Sequence, residues 1–132
     1  MLKYMLDTNI VIYVIKRRPL KALKVFNQHA GQMCISSITL AELLHGAEKS
    51  SKPDHNLRQV EDFVSRLELL EYGAKAASHY GVIRTDLERK GTPMGVNDRH
   101  IAGHARSEGL ILVTNNLREF KRVEALRLEN WV

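Results

Sequence analysis

Short, wholly apolar runs alternate along this chain with longer stretches whose apolar positions recur at helical spacing. Residues 3–6 predict a strand and residues 8–15 a helix directly after it. Pro19 suits the first turn of a second helix that reaches about residue 30, where Gly31 stops it. Residues 33–36 predict a strand, 37–48 a helix, and Pro53 opens another helix running to about residue 66. A strand is expected within 67–72, broken by Gly73, and a helix over 74–90 that ends at Gly91. The loop GTPMGVND precedes a helix over about 97–107, with Gly109 just past its end. Residues 110–113 read LILV, with no polar position, as a strand covered on both faces requires. A last short strand is placed around 125–128. Strands alternating in this way with helices predict an α/β fold, a short parallel sheet sandwiched between helices.

The polar residues of this pattern fall in particular places. Three predicted strands end in polar clusters: YML in Asp7-Thr8-Asn9, CIS in Ser37, and LILV in Thr114-Asn115-Asn116. In an open parallel sheet, ligands sit beyond the carboxyl ends of the strands, so these clusters are expected along one edge. Glu42, five residues after Ser37, and Asp98, at the start of the helix before LILV, belong to the same region. Each acid also has a structural reading. Asp7 is a favoured N-cap. Glu42 could close a capping box with Thr39, although Ser37 is the better cap and would leave Glu42 past the first turn. Asp98 competes with Asn97 to cap its helix. The surroundings of Glu42 (Ile38, Leu40, Ala41, Leu43, Leu44) argue against a purely structural role, because a carboxylate among apolar residues needs a partner.

Length and composition narrow the class. The 132 residues are enough for one domain, residues 1–132, and 44% apolar with 27% charged residues is a globular balance. No apolar run is long enough for a membrane span, and the N-terminus lacks the features of a signal peptide. The single cysteine, Cys34, lies in an apolar run, so no disulfide framework is expected and a reducing cytoplasm fits. A net charge of +5 points to an anionic partner, most simply a nucleic acid. Lys16, Arg17, Arg18 and Arg99 adjoin the acidic segments and are candidates for RNA contact, against the default of a solvated helix face.

Three carboxylates held together repel one another, and a divalent cation relieves this. All-oxygen ligands favour Mg²⁺, with Mn²⁺ as substitute, over Zn²⁺. His100 and His104 are four apart, but Ile101 stands where a zinc protease motif needs glutamate, so both are expected to be packing or surface residues. A carboxylate-held Mg²⁺ orients and deprotonates water and offsets phosphate charge, which suits phosphodiester cleavage.

The ordered set MLDTN, SSITLAELLHG, GVNDRHIAGHA and VTNNLREF resembles the PIN-domain ribonucleases, specifically VapC-type toxins of bacterial toxin–antitoxin pairs. The resemblance spans essentially the whole chain. It implies a PIN-like three-layer fold and an acidic triad of Asp7, Glu42 and Asp98 serving both metal binding and catalysis. It also implies a Mg²⁺-dependent endoribonuclease, a homodimer, and a cognate VapB-type antitoxin whose tail enters the acidic site. The TNNLREF ending is similar to relatives that cut initiator tRNA in the anticodon stem-loop and so inhibit translation. Many PIN domains carry a fourth acid after the last of these strands, where Asn115 and Asn116 stand here. Asn116 is therefore a candidate to support the metal, with Thr8 and Asn9 to fix Asp7, and Glu119 either braces this loop or lies at the surface. A non-catalytic RNA-binding module, or a ribonuclease acting on mRNA or rRNA, remains the alternative. A dehalogenase-type phosphatase is disfavoured because Asn9 replaces the second acid of its D-x-D motif. A receiver domain is disfavoured because Thr-Asn-Asn follows LILV.

Overall fold

The computed structural model describes residues 1–132. The elements run β1 (Tyr4–Leu6), α1 (Thr8–Lys16), α2 (Leu20–Gln28), β2 (Met33–Ser36), α3 (Ser37–Glu48) and α4 (Pro53–Val64). They continue with β3 (Glu68–Leu70), α5 (Ala74–Lys90), α6 (Val96–Ser107), β4 (Ile111–Val113), α7 (Leu117–Phe120) and β5 (Leu128–Glu129). The five strands form one sheet in the order β3-β2-β1-β4-β5, every pair parallel. Because the chain winds outward from β1 in both directions, the strand order reverses there, and a crevice opens above β1 and its neighbours.

The strand alternation builds the three layers. Tyr4, Leu6, Met33, Ile35 and Val113 point into one core with Ile10, Val14, Phe26, Leu43 and Phe63 of α1–α4. Met5, Cys34 and Leu112 point the other way, onto Ile83, Leu87, Ile101, Ala105 and Phe120 of α5–α7. Each large side chain buried here contributes roughly 1.5–3 kcal/mol. The contact between α5 and α6 is close: a Cβ on Gly103 would lie 3.1 Å from the Tyr80 backbone nitrogen and 3.2 Å from the Ala76 carbonyl oxygen. That packing fixes α6, the helix that carries Asp98.

Most of the predicted elements are present, with differences at their ends. Helix α2 begins after Pro19, which occupies the N-cap, and ends at Gln28; α4 ends two residues before the expected Arg66. Ser36, the last residue of β2, caps α3 by accepting from the Ile38 amide, so Ser37 is not the cap. Neither Asn97 nor Asp98 caps α6; Gly95 does, with no side-chain bond. The last strand is shifted: Ala125 has φ 59°, outside strand geometry, and pairing with β4 starts only at Leu128. The short helix α7, unexpected from the pattern, fills the turn after β4 and buries Phe120.

Candidate active site

Strand β1 delivers Asp7 to the N-cap of α1, where it is 4% exposed. Its Oδ1 accepts from the Thr8 amide at 2.8 Å and its Oδ2 from the Thr114 hydroxyl at 2.9 Å. The expected capping role is therefore real, and both carboxylate oxygens are held. Burial raises the Asp7 pKa above the usual carboxylate value, the bonds from Thr114 and Thr8 oppose this, and the charges of Glu42 and Glu119 add to the rise. Thr114 closes the link to the next strand by also accepting from the Asn116 amide at 3.0 Å.

Glu42 projects from α3 toward the same edge and is half-buried rather than enclosed. Its Oε1 accepts from the Thr8 hydroxyl at 2.5 Å and its Oε2 from the Asn97 amide group at 3.2 Å. It closes no capping box; the Thr39 hydroxyl is buried without a partner. Thr8 thus serves two acids, Asp7 through its backbone and Glu42 through its side chain. Asn9 is exposed and makes no side-chain hydrogen bond, so the structure does not bring it to Asp7.

Asp98 lies in the first turn of α6. Its pKa is pushed up to about 7, chiefly by burial, then by a hydrogen bond with Glu119 and by the charges of Asp7, Glu119 and Glu42. Glu119, on α7, is thus a fourth carboxylate of the cluster as well as a brace. It accepts from the Gly95 amide at 3.2 Å and from the Asn116 side-chain amide at 2.8 Å. Its spacing of three from Asn116 was the available signal, and it could be read only once α7 was known to exist. Asn116 supports the cluster indirectly, through Glu119. None of the four carboxylates forms an ion pair with lysine or arginine.

That donor set, all oxygen, acidic and lacking a counter-charge, fits a hard divalent cation in type. The side chains are not drawn together into a three-ligand cage. Asp7 and Glu42 accept from Thr8, Thr114 and Asn97, while burial and the neighbouring carboxylates raise the Asp98 pKa to about 7. The two histidines lie apart from this chemistry. His104 is buried with Nδ1 2.8 Å from the Ser36 hydroxyl, and His100 packs flat on Tyr80 with Nδ1 2.8 Å from the Tyr72 hydroxyl. Burial lowers both their pKa values, with the Arg99 charge adding to the effect at His100.

Beside Glu42 a groove of about 420 Å³ runs along α3, lined by Thr8, Ala41, His45, Lys49 and Asn97 among others. The Lys16–Arg18 run is not part of it. Helix α1 leads away from Asp7, which sets Lys16 roughly 13 Å along the helix axis. Lys16 and Arg17 instead line grooves among α1–α4, with Ile15, Leu23, Ala47 and Gln59. Of the predicted basic residues, Arg99 is the one on an element that also carries an acid, directly after Asp98 on α6.

A profile described as the PIN domain matches residues 4–126. The chain is 67% identical over 132 residues to the Haemophilus influenzae protein called Ribonuclease VapC2, covering all of both chains. It is 58% identical over 131 residues to the tRNA(fMet)-specific endonuclease VapC of Shigella flexneri, covering 99% of each. Its fold matches the crystal structure of DNA-bound VapBC from Salmonella typhimurium with a TM-score of 0.96, at 57% identity and with both chains fully covered.

Proposed function

The chain belongs to the PIN-domain family and, within it, to the VapC ribonucleases; on that footing we propose that it is the endoribonuclease toxin of a toxin–antitoxin pair. Its substrate is tRNA, specifically initiator tRNA cut in the anticodon stem-loop, and the consequence is arrested translation. The observation that carries this reading is the gathering of Asp7, Glu42, Asp98 and Glu119 at the carboxyl ends of the strands with no basic partner.

Asp7, Asp98 and Glu42 would hold a divalent cation, Mg²⁺ in the cell with Mn²⁺ as a substitute. When bound, that ion polarises a water molecule and offsets charge on the scissile phosphate. The protein's own part is positioning. Thr8 and Thr114 fix the Asp7 carboxylate, which limits the reorganisation needed as the site loads. Thr8 and Asn97 aim Glu42, whose Oε atoms accept the proton of the attacking water. Asp98, its pKa raised to about 7 by burial and like charges, would be ionised when a cation occupied the site, and Glu119, anchored by Gly95 and Asn116, would brace this edge. Water attack leaves a 5′-phosphate and a 3′-hydroxyl, whereas attack by the ribose 2′-oxygen would leave a cyclic phosphate.

The whole of residues 1–132 acts as one domain, in the cytoplasm and as a homodimer, and a VapB-type antitoxin restrains it by placing its tail in the acidic site. No helix is long and apolar enough to cross a membrane. The test is to incubate the protein with initiator tRNA, with Mg²⁺ or EDTA, and to sequence the RNA ends. Discrete cuts in the anticodon stem-loop that vanish in EDTA are expected. Full cleavage in EDTA, or a 2′,3′-cyclic phosphate end, would overturn the reading.

A further inference from the structure

Outside the acidic cluster, α5 and α6 carry a second group of functional side chains. The rings of Tyr80 and His100 stack with centroids 4.0 Å apart and planes 7° from parallel. Tyr72 meets His100 at 5.1 Å with planes 79° apart, its hydroxyl 2.8 Å from Nδ1, so the edge of His100 is anchored. The Arg84 guanidinium donates to the Tyr80 hydroxyl at 3.3 Å, and its one acidic neighbour is Glu88 at 3.6 Å. Arg99 immediately precedes His100 on α6. Arg99 is half-buried, makes no side-chain hydrogen bond or ion pair, and its Nε is enclosed without a partner. The planar fork of donors on a guanidinium matches phosphate oxygens.

We propose that this face is a subsite for the RNA strand flanking the cut: Arg84 and Arg99 bind backbone phosphates, and Tyr80, backed by His100, stacks a nucleobase on its side away from His100. The proposal rests on the ribonuclease reading above and extends it. Arg99 directly follows Asp98 on α6, one residue from the acidic cluster. Alternating guanidinium groups and stacked rings suit a single-stranded nucleic acid, in which every base offers a flat face. An acidic peptide would use the charges but not the rings.

The experiment uses the full chain carrying Asp7→Asn, in EDTA, with an initiator tRNA transcript as probe and binding measured across a salt series. The Arg84→Ala/Arg99→Gln variant is expected to bind at least ~10-fold more weakly, with the log–log salt slope lowered by about 1.4 for two lost phosphate contacts. Tyr80→Leu should weaken binding with the slope unchanged, while Tyr80→Phe binds like the parent. Melting temperatures verify folding; should the double variant not fold, the exposed Arg84→Ala alone carries the test, with about half the slope change. Parent affinity and slope in a folded arginine variant would overturn the proposal. So would arginine variants that keep tRNA but release the antitoxin. Cleavage of the same transcript by the unmutated chain is run alongside. No cleavage defeats the ribonuclease reading, whereas cleavage with an unmoved salt slope defeats only this subsite.

Discussion

Asp7 and Asp98 stand at the same edge of the sheet and are held in opposite ways. Asp7 ends a buried strand, caps a helix, and has a donor on each carboxylate oxygen. Asp98 sits in a helix that Gly95 caps, partly open, and its pKa is raised to about 7 by burial and then by Glu119, Asp7 and Glu42. Both have raised pKa values, yet hydrogen bonding opposes the rise at Asp7 and contributes to it at Asp98. Asp7 is therefore built into the scaffold, and Asp98 is the group whose protonation answers to whatever fills the site.

The largest expected effects come from removing the two charges. Asp7→Asn and Asp98→Asn should each slow tRNA cleavage by roughly 10²–10³-fold, the scale on which losing one preorganised electrostatic contact is felt. Stability should move the other way. Neither variant melts lower than the parent in EDTA, because each relieves a carboxylate that burial and like charges destabilise. Cleavage rates and melting temperatures on the same preparations check this, and an active Asp7→Asn protein would break the comparison.

The pH dependence sharpens it. An unfolded aspartate titrates near 3.8 and Asp98 in the fold near 7, so between these values the folded state binds more protons than the unfolded. Stability from this group therefore falls as pH rises from about 4 to 7 and is flat above. His104, whose pKa is lowered, acts in the opposite sense: its contribution is lost as pH falls below about 6.5. The melting-temperature gap between Asp98→Asn and the parent isolates Asp98. In EDTA that gap should widen from pH 4 to 7 and then level, and saturating Mg²⁺ should narrow it by favouring the ionised parent. A gap independent of pH would refute the raised Asp98 pKa.

A smaller effect is expected at Thr8. Thr8→Val removes the hydroxyl that aims Glu42 while keeping the backbone bond to Asp7, so cleavage should fall about 10-fold, and Thr8→Ser should restore it. The smallest effect belongs to Asn9→Ala. The side chain is exposed and contacts no carboxylate, so cleavage should stay within about twofold; a large loss would return Asn9 to the site.

Much of this arrangement was legible from residue order alone. Alternating apolar runs gave the strands because a doubly covered parallel strand leaves no polar position, as in Leu112 and Val113. Strand-end polarity then indicated Asp7, Thr114 and Asn116, since in a parallel sheet the carboxyl ends of the strands share one edge. Spacing also indicated Glu42 and Asp98, whose neighbours could not satisfy them. What periodicity could not supply was partnership between distant residues. Thr8 and Glu42 are 34 positions apart, and which acid receives the Thr8 hydroxyl depends on how α1 and α3 pack. Glu119 joined the cluster only because α7, too short for a periodic signal, turns it back onto Gly95 and Asn116. The Lys16–Arg18 run looked close to the site in sequence, but α1 carries it away, while Tyr80, twenty positions from His100, stacks on it because Gly103 lets α5 and α6 approach closely. Local pattern was enough for four of the strands, for their polar edge and for three of the acids, because each is set by residues near one another in the chain. The last strand, the fourth acid and the hydrogen-bond partners came only with packing, because they depend on residues that meet when helices and strands dock.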